Sequence, residues 1–172
     1  MKNDLLLIER FKAGDESAFN ELVQAHMEWV TNFIMKVIKH REDAQDLAQD
    51  VFVKIYFNLK KFRGDSEFKT WVYKIVVNQM NNYFKKQKLL SWFQNDYDEN
   101  DVSNFRNQND KDDQVKLIIG VKRLAKMQRN VVLLRIFQDM SFKDISEVLS
   151  ISENSAKVSF YKAKQNLKGI DL

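Results

Sequence analysis

Side chains suited to binding nucleic acid line one face of a predicted helix that begins near Phe68. At helical spacing its outward positions combine amides, an aromatic ring and lysines: Lys69, Tyr73, Lys74, Val77, Asn78, Asn81 and Lys85. Amides and lysines bind base edges and phosphates, and aromatic rings stack on bases. The inward positions predict a buried face, at Phe68, Trp71, Val72, Ile75, Val76 and Phe84. This helix is therefore a candidate nucleic-acid-binding element.

The helix before it carries a different chemistry. Between Ala44 and Leu59, apolar residues recur at three- and four-residue steps, which predicts one buried face. The opposite face mixes acids, an amide and apolar groups: Asp46, Gln49, Asp50, Val53 and Phe57. Such a surface suits a basic protein partner with an apolar groove. Periodicity alone fits a solvated acidic face equally well.

The composition restricts the class of protein. The chain has 172 residues, 44% of them hydrophobic, with no proline and four glycines, which predicts an all-helical protein. It has no cysteine, and its two histidines, His26 and His40, are too scattered for a metal cluster. We expect His26 at the surface or the boundary of the core. Neither a signal peptide nor an 18-residue apolar run is present, so the expected location is the cytoplasm.

The charge distribution predicts two modules. Residues 1–90 hold 15 basic and 12 acidic groups, residues 91–113 hold 2 and 7, and residues 114–172 hold 11 and 5. Two basic modules are thus separated by an acidic segment rich in Asn and Asp, which lacks helical periodicity and predicts a flexible linker. We therefore place the domains at 1–90 and 114–172 and the linker at 91–113. Basic modules of this kind favour nucleic acid as a partner.

The second module ends in a predicted helix-turn-helix. Ser141 and Asp144 resemble a capping box that opens a helix through Leu149; Ser150 to Ser152 form a short turn, and a helix follows from Glu153. The stripe predicted to be buried on that last helix is Ala156, Phe160, Ala163 and Leu167. The residues predicted to contact DNA are Asn154, Ser155, Lys157, Val158, Tyr161, Lys162 and Lys164. The spacing fits a basic helix with nonspecific contacts equally well.

Three stretches resemble bacterial RNA polymerase sigma factors of the extracytoplasmic-function (ECF) group. They are DAQDLAQDVFVKIY, FRGDSEFKTWVYKIVVN and SFKDISEVLSISENSAKVSFYKAKQNLK. Trp71 and Asn78, seven residues apart behind a short Gly-containing loop, form a specific part of this likeness. The resemblance covers roughly residues 5–88 and 114–168. It implies two small all-α domains, similar to sigma regions 2 and 4, joined by a flexible acidic linker.

The resemblance also implies roles for residues. The acidic face with Asp46, Gln49, Asp50, Val53 and Phe57 would dock on the beta-prime clamp of core RNA polymerase, and the beta flap is a further implied contact. The implied contacts with the promoter minus-10 element are Phe62, Arg63, Gly64, Asp65, Ser66, Lys69, Trp71, Tyr73, Lys74 and Asn78. Among them we expect Tyr73 and Asn78 to touch DNA, and Trp71 to lie in the core with one edge near DNA. The helix-turn-helix would bind the minus-35 element, and an anti-sigma factor is an implied partner.

Some features depart from this resemblance or admit another interpretation. Ala125 stands where the family usually has proline, and Asn154 stands where glycine is common, so DNA specificity does not transfer. The loop at Gly64 also fits a plain interhelical turn, with a positive φ at Gly64 and a helix cap at Asp65 or Ser66. No cofactor or catalytic site is expected. The alternatives to a sigma factor are a stand-alone helix-turn-helix regulator and a helical adaptor that binds through Val53 and Phe57.

Overall fold

The computed structural model describes residues 2–93 and 111–167, and every regular element in those residues is an α-helix. The helices are α1 (Lys2–Lys12), α2 (Ser17–Val37), α3 (Arg41–Leu59), α4 (Phe68–Phe93), α5 (Lys111–Arg123), α6 (Lys126–Phe137), α7 (Phe142–Leu149) and α8 (Glu153–Asn166). The expected all-α class is confirmed. Most of the predicted acidic linker lies outside the described residues.

The chain divides into two compact units, Met1–Met80 and Asn81–Leu172. The division falls inside α4, which continues to Phe93 although its amphipathic pattern ends near Leu89. No glycine or proline interrupts this end of the helix, so its backbone can stay helical without an apolar stripe. The domain boundaries inferred from charge and pattern stay a prediction.

The core of the first unit forms around α2. Its buried apolar residues are Ala18, Leu22, Val30, Phe33, Ile34 and Val37. α3 packs on α2 and buries the face predicted from periodicity, namely Ala44, Leu47, Ala48, Val51, Phe52, Ile55 and Leu59. The small side chains Ala44 and Ala48, both at most 1% exposed, allow the two helices to approach closely. With one face of α3 committed to α2, its other face remains in solvent.

Arg10, near the end of α1, forms ion pairs with residues at and near the start of α2. The turn between them passes through Gly14, whose φ of +104° favours glycine. The Arg10 guanidinium lies 2.7 Å from Asp15 Oδ2 and 3.0 Å from Glu21 Oε1. Hydrogen bonds from Ser17 and from Arg10 lower the pKa of the Asp15 carboxyl. This network joins the end of α1 to the start of α2, and the buried Leu7, Ile8 and Phe11 pack α1 into the core.

The second unit contains the predicted helix-turn-helix. α6 buries five consecutive residues, Asn130 to Leu134, because α5, α7 and α8 all pack on it. The capping box of Ser141 and Asp144 is confirmed, with the Asp144 amide donating to Ser141 Oγ at 3.1 Å. Ser150 ends α7 in the left-handed conformation, with φ +55° and ψ +48°. Ser152 then caps α8 by accepting from the Ser155 amide. The turn at residues 150–152 is therefore confirmed.

Several predicted positions are wrong. Tyr73, Val77 and Asn81 were expected to face outward, but they are 5%, 1% and 8% exposed. His26 is likewise buried, at 8% exposure. Periodicity predicts one buried and one exposed face when other helices cover only one side of a helix. Other residues cover α4 on more than one side, so positions expected to be exposed are buried.

Two residues expected in the core, Ile75 and Phe160, are only half-buried. Trp71 is half-buried as well, which fits the expectation of a core ring with one edge accessible. The helix α6 begins at Lys126. Ala125 stands at the N-cap of α6 with no side-chain cap hydrogen bond, so the sequence carries no start signal there.

The capping box yields the first prediction. Ser141→Ala removes the acceptor for the Asp144 amide, so the free energy of unfolding of the second unit should fall by about 1 kcal/mol. Urea titration of the full chain, followed by helical circular dichroism, measures the change. Ser146→Ala is the matched control, because Ser146 lies inside α7 and bonds only locally to the Lys143 carbonyl. Equal midpoints for both variants would show that the capping box does not stabilise this unit.

Candidate nucleic-acid and protein-binding surfaces

The solvent-facing side of α3, here called the docking face, consists of Asp46, Gln49, Asp50, Val53 and Phe57. All five side chains are exposed, as expected. Val53 is 51% exposed and Phe57 is 70% exposed. The Phe57 ring meets only the edge of Tyr56, at 5.6 Å between ring centroids, among the described ring pairs. Val53 and Phe57 are one helical turn apart, so their exposed side chains form a small apolar patch on this helix.

The charge of the docking face is uncompensated within the described part of the chain. Asp46 and Asp50 lie one helical turn apart and form no ion pair with a described residue. Two carboxylates on one turn repel each other slightly, and a cationic partner would relieve this repulsion. The face therefore offers an apolar anchor beside a small negative patch.

The loop between α3 and α4 has one buried residue and an exposed tip. Phe62 is 5% exposed, and its ring packs on Phe68 and Trp71 at 5.9 and 5.3 Å between centroids. Residues 63–66 are exposed. Gly64 has φ +79° with no heavy atom within 4 Å of an added Cβ, so the turn needs glycine for its backbone and not for space. The expected positive φ is confirmed.

The expected cap of α4 is wrong. The Glu67 carbonyl accepts the first helical hydrogen bond, from the Trp71 amide at 3.1 Å. Glu67 therefore occupies the N-cap position, and the Ser66 hydroxyl donates to the Glu67 carbonyl instead of capping an amide. This leaves Asp65 and Ser66 in the exposed tip, where their polar groups face solvent.

Three of the predicted minus-10 residues share one face of α4. Trp71, Lys74 and Asn78 are spaced at i, i+3 and i+7, so they line a single stripe. Lys74 and Asn78 are exposed and Trp71 is half-buried. Phe62, in the loop before α4, packs its ring on Trp71 and so contacts this stripe. We call Trp71, Lys74 and Asn78 the α4 stripe.

Tyr73 and Lys69 lie on another side of α4. Tyr73 is buried against Trp29 and Phe33 of α2, at 4.7 and 5.8 Å between ring centroids. Burial raises the pKa of the Tyr73 hydroxyl. The expectation that Tyr73 faces outward beside Asn78 is therefore wrong, and Trp71 is the more accessible ring. Lys69 remains exposed one turn before Tyr73.

The outward side of α8 matches its predicted pattern. Asn154, Val158 and Tyr161 are exposed, with Val158 at 45% and Tyr161 at 64%. Lys157 and Lys164 flank them on one side, and Ser155 and Lys162 on the other. Lys157 pairs with Glu153 at 2.7 Å, and Ser155 is hydrogen-bonded to Ser152 at the helix cap. Ala156, Ala163 and Leu167 are buried as expected.

One cluster was missed by reasoning from the sequence. Trp29 of α2 lies beside Tyr73, and the Lys69 ammonium is 5.4 Å from the Trp29 ring centroid. His26 accepts a hydrogen bond from Trp29. The i, i+3 spacing of His26 and Trp29 indicates that their side chains can touch. Nothing in the local sequence predicts which helix covers them.

Residues 2–93 and 111–167 contain neither a membrane-spanning helix nor a metal-binding cluster. No helix there is both long and apolar enough to cross a bilayer. The same residues contain no group of three or more His, Cys, Asp or Glu side chains placed to hold a metal ion.

Comparison with known proteins identifies both units. A model of sigma-70 region 2 matches residues 22–89, and a model of sigma-70 region 4 matches residues 121–167. The chain is 26% identical to RNA polymerase sigma-H factor of Pseudomonas aeruginosa, covering 95% of this chain and 91% of that protein. It is 27% identical to the ECF RNA polymerase sigma-E factor of Haemophilus influenzae, covering 96% and 93%.

Solved structures share the fold. CnrH in complex with the cytosolic domain of CnrY matches with a TM-score of 0.63 and 22% identity, over 96% of this chain and 94% of that chain. The sigma factor RpoE in complex with the anti-sigma factor NepR from Bartonella quintana matches with a TM-score of 0.57 and 16% identity, over 88% and 95%.

The resemblance inferred from the sequence is thus confirmed by two family models, which match in chain order and together cover more than half of the residues. Full-length relatives carry the ECF sigma name. The chain belongs to the sigma-70 family, in its ECF group, whose members direct core RNA polymerase to promoters and initiate DNA melting.

Proposed function

We propose that this sigma factor divides promoter recognition among three parts of the chain. Residues 1–90 bind core polymerase and capture the minus-10 element, residues 91–113 link the modules, and residues 114–172 bind the minus-35 element. The observation that carries this assignment is the docking face, where Phe57 is 70% exposed beside Asp50. A promoter-reading protein needs no such acidic and apolar surface for DNA, but it needs one for a protein partner.

The docking face fits a basic partner with an apolar groove, as the beta-prime clamp would supply. Burying the Phe57 side chain would contribute about 2 kcal/mol. Asp46 and Asp50 would pair with cations around that anchor, which favours orientation and association rate more than affinity. Gln49 and Val53 lie between them and complete the contact. The surface thus combines one apolar anchor with a charged rim.

The α4 stripe and the loop tip would capture a base of the minus-10 element. Strand opening costs a few kcal/mol of lost stacking, which a pocket for the flipped base must offset. Asn78 supplies an amide that can bond a base edge, Trp71 supplies part of a ring face, and Lys74 supplies a phosphate contact. The exposed tip with Arg63, Gly64, Asp65 and Ser66 would close over the base. Phe62 supports the tip from the core.

Lys69 would contact a phosphate from the neighbouring side of α4. It is exposed and held above the rings of Trp29 and Tyr73. Tyr73 supports this lysine from below and does not itself face DNA in this structure, since it is 5% exposed.

In the second unit, α8 would enter the major groove of the minus-35 element. Asn154, Val158 and Tyr161 would meet base edges, while Lys157, Lys162 and Lys164 would hold the flanking phosphates. Ser155 is engaged at the helix cap, so it would offer its remaining hydroxyl capacity to a phosphate. Contact of this unit with the beta flap would fix the spacing between the two promoter elements.

An anti-sigma factor would compete for these surfaces. The solved complex of RpoE with NepR shows such a pairing for another sigma factor, and the exposed Phe57 of this chain offers a comparable anchor. We place the protein in the cytoplasm, where polymerase works. It would contribute no bond chemistry, because phosphodiester synthesis belongs to the polymerase.

The first functional prediction concerns the docking face. Asp46→Arg with Asp50→Arg should weaken binding to core polymerase at least about tenfold, because it places two cations against a basic partner. Competition for core against a labelled wild-type chain gives the ratio. Glu28→Arg with Glu147→Arg is the matched control, since both residues are exposed acids, on α2 and α7, that form no ion pair with a described residue. If both double variants lost the same affinity for core polymerase, the effect would come from net charge alone, and the docking face would not be the polymerase contact.

The second concerns the α4 stripe. Asn78→Ala should slow open-complex formation about tenfold and leave closed-complex binding nearly unchanged, because the base is captured only after it leaves the stack. Permanganate reactivity of unpaired thymines and filter binding separate the two stages, on a promoter selected from random DNA by wild-type holoenzyme. Asn20→Ala, an exposed Asn of α2, is the control. A parallel loss at both stages would point to a general defect in affinity instead.

The third concerns α8. Tyr161→Ala should reduce discrimination between the selected promoter and a scrambled upstream element about tenfold. Lys164→Ala should weaken both DNAs alike and reduce the salt slope of binding by about 1. Lys126→Ala, an exposed lysine of α6, should do neither. Unchanged discrimination in the Tyr161 variant would leave α8 as a nonspecific basic helix.

A further inference from the structure

A polar pair formed by the buried His26 and the partly buried Asp4 lies at the start of α4, outside the docking face and the α4 stripe. His26 of α2 is 8% exposed, and its Nε2 lies 2.9 Å from Asp4 Oδ1 of α1. Its Nδ1 lies 2.9 Å from Trp29 Nε1. The imidazole ring also packs edge-on against Phe68, the first residue of α4, at 5.2 Å between centroids. Three helices therefore meet at one imidazole.

The two hydrogen bonds define the tautomer of His26. An indole N–H can only donate, so Nδ1 must accept and carries no hydrogen. The hydrogen is then on Nε2, which donates to the Asp4 carboxylate. Asp4 thereby keeps Nδ1 available as the acceptor for Trp29. The indole of Trp29 is held in one orientation by this chain of donors and acceptors.

The Trp29 indole is one of two aromatic rings that lie under the Lys69 ammonium. The Lys69 ammonium lies 5.4 Å from the Trp29 ring centroid and 5.8 Å from that of Tyr73. The two rings are themselves in contact, at 4.7 Å and an interplanar angle of 46°. A cation above two ring faces is attracted to both. Lysine has several freely rotating bonds, and restricting them before DNA arrives removes part of the entropy lost on binding.

We propose that His26 is a positioning residue for DNA melting, which orients Trp29 so that the ammonium of Lys69 is held ready for the promoter backbone. The inference rests on the proposed contact between Lys69 and DNA. An apolar side chain at this position would fill the same space without fixing the indole. His26 and Asp4 therefore influence the position of Lys69 through the Trp29 ring.

The variants separate the two hydrogen bonds of the imidazole. In His26→Asn the amide oxygen replaces Nδ1 as acceptor for Trp29, whereas in His26→Gln the amide reaches only toward Asp4. Trp29→Phe keeps a ring but removes the indole donor. We expect His26→Gln and Trp29→Phe each to slow open-complex formation by holoenzyme about threefold, and His26→Asn to stay near the wild-type rate. In the Lys69→Ala background neither substitution should slow opening further.

The assay uses holoenzyme assembled from core polymerase and the full chain, with the selected promoter. Circular dichroism and binding to core confirm that each variant is folded, and Trp29→Phe decides the question if His26→Gln does not fold. Lys69→Ala is tested separately for the salt slope of promoter binding, which should decrease by about 1.

The outcomes distinguish the contact of Lys69 with DNA from the positioning role of His26. A wild-type salt slope in Lys69→Ala overturns the DNA contact of Lys69, and the positioning role with it. If that slope falls while His26→Gln and Trp29→Phe open DNA at the wild-type rate, the contact stands and the positioning role is wrong. Equal slowing by His26→Asn and His26→Gln, or equal slowing in the presence and absence of Lys69, would reduce His26 to a structural residue.

Discussion

Burial of α2 within the first unit is the constraint on which the binding surfaces depend. Its apolar side chains take up one face of α3, and its Trp29 and Phe33 take up one side of α4. Each neighbour of α2 must therefore display its opposite side. On α3 this leaves Asp50 and Phe57 in solvent, and on α4 it leaves Lys74 and Asn78. One core thus sets the direction of the proposed protein-binding face and of the proposed DNA-binding face.

With the proposed roles, this arrangement would let a small domain join polymerase to a single strand of DNA. The docking face exposes an aromatic side chain, and burying that side chain against a partner would contribute free energy to binding. At the α4 stripe, the positive φ of Gly64 turns the chain, and the Phe62 ring packs on Trp71, so the loop joins the helix through a packed contact. Rigid supports lower the entropy that is lost when a flipped base is captured.

Local patterns predicted much of this structure, and the misses share one physical cause. The buried face of α3, the turn at Gly64, the capping box at Ser141 and the exposed side of α8 all follow from short-range spacing. Tyr73 and His26 were misplaced because their burial depends on which helix packs beside them. A tyrosine and a histidine are amphipathic, so their own chemistry does not decide between core and solvent. Trp71 packs on Phe62 and Phe68 and keeps one part accessible, as expected.

We expect the chain to open promoter DNA only as the specificity subunit of polymerase. Permanganate mapping of unpaired thymines on a selected promoter, with core alone, chain alone and the two together, measures this. One defined open stretch downstream of the bound elements is expected when both are present, and none with either alone. Specific duplex binding by the chain alone, without opening when a cognate core is added, would contradict this expectation.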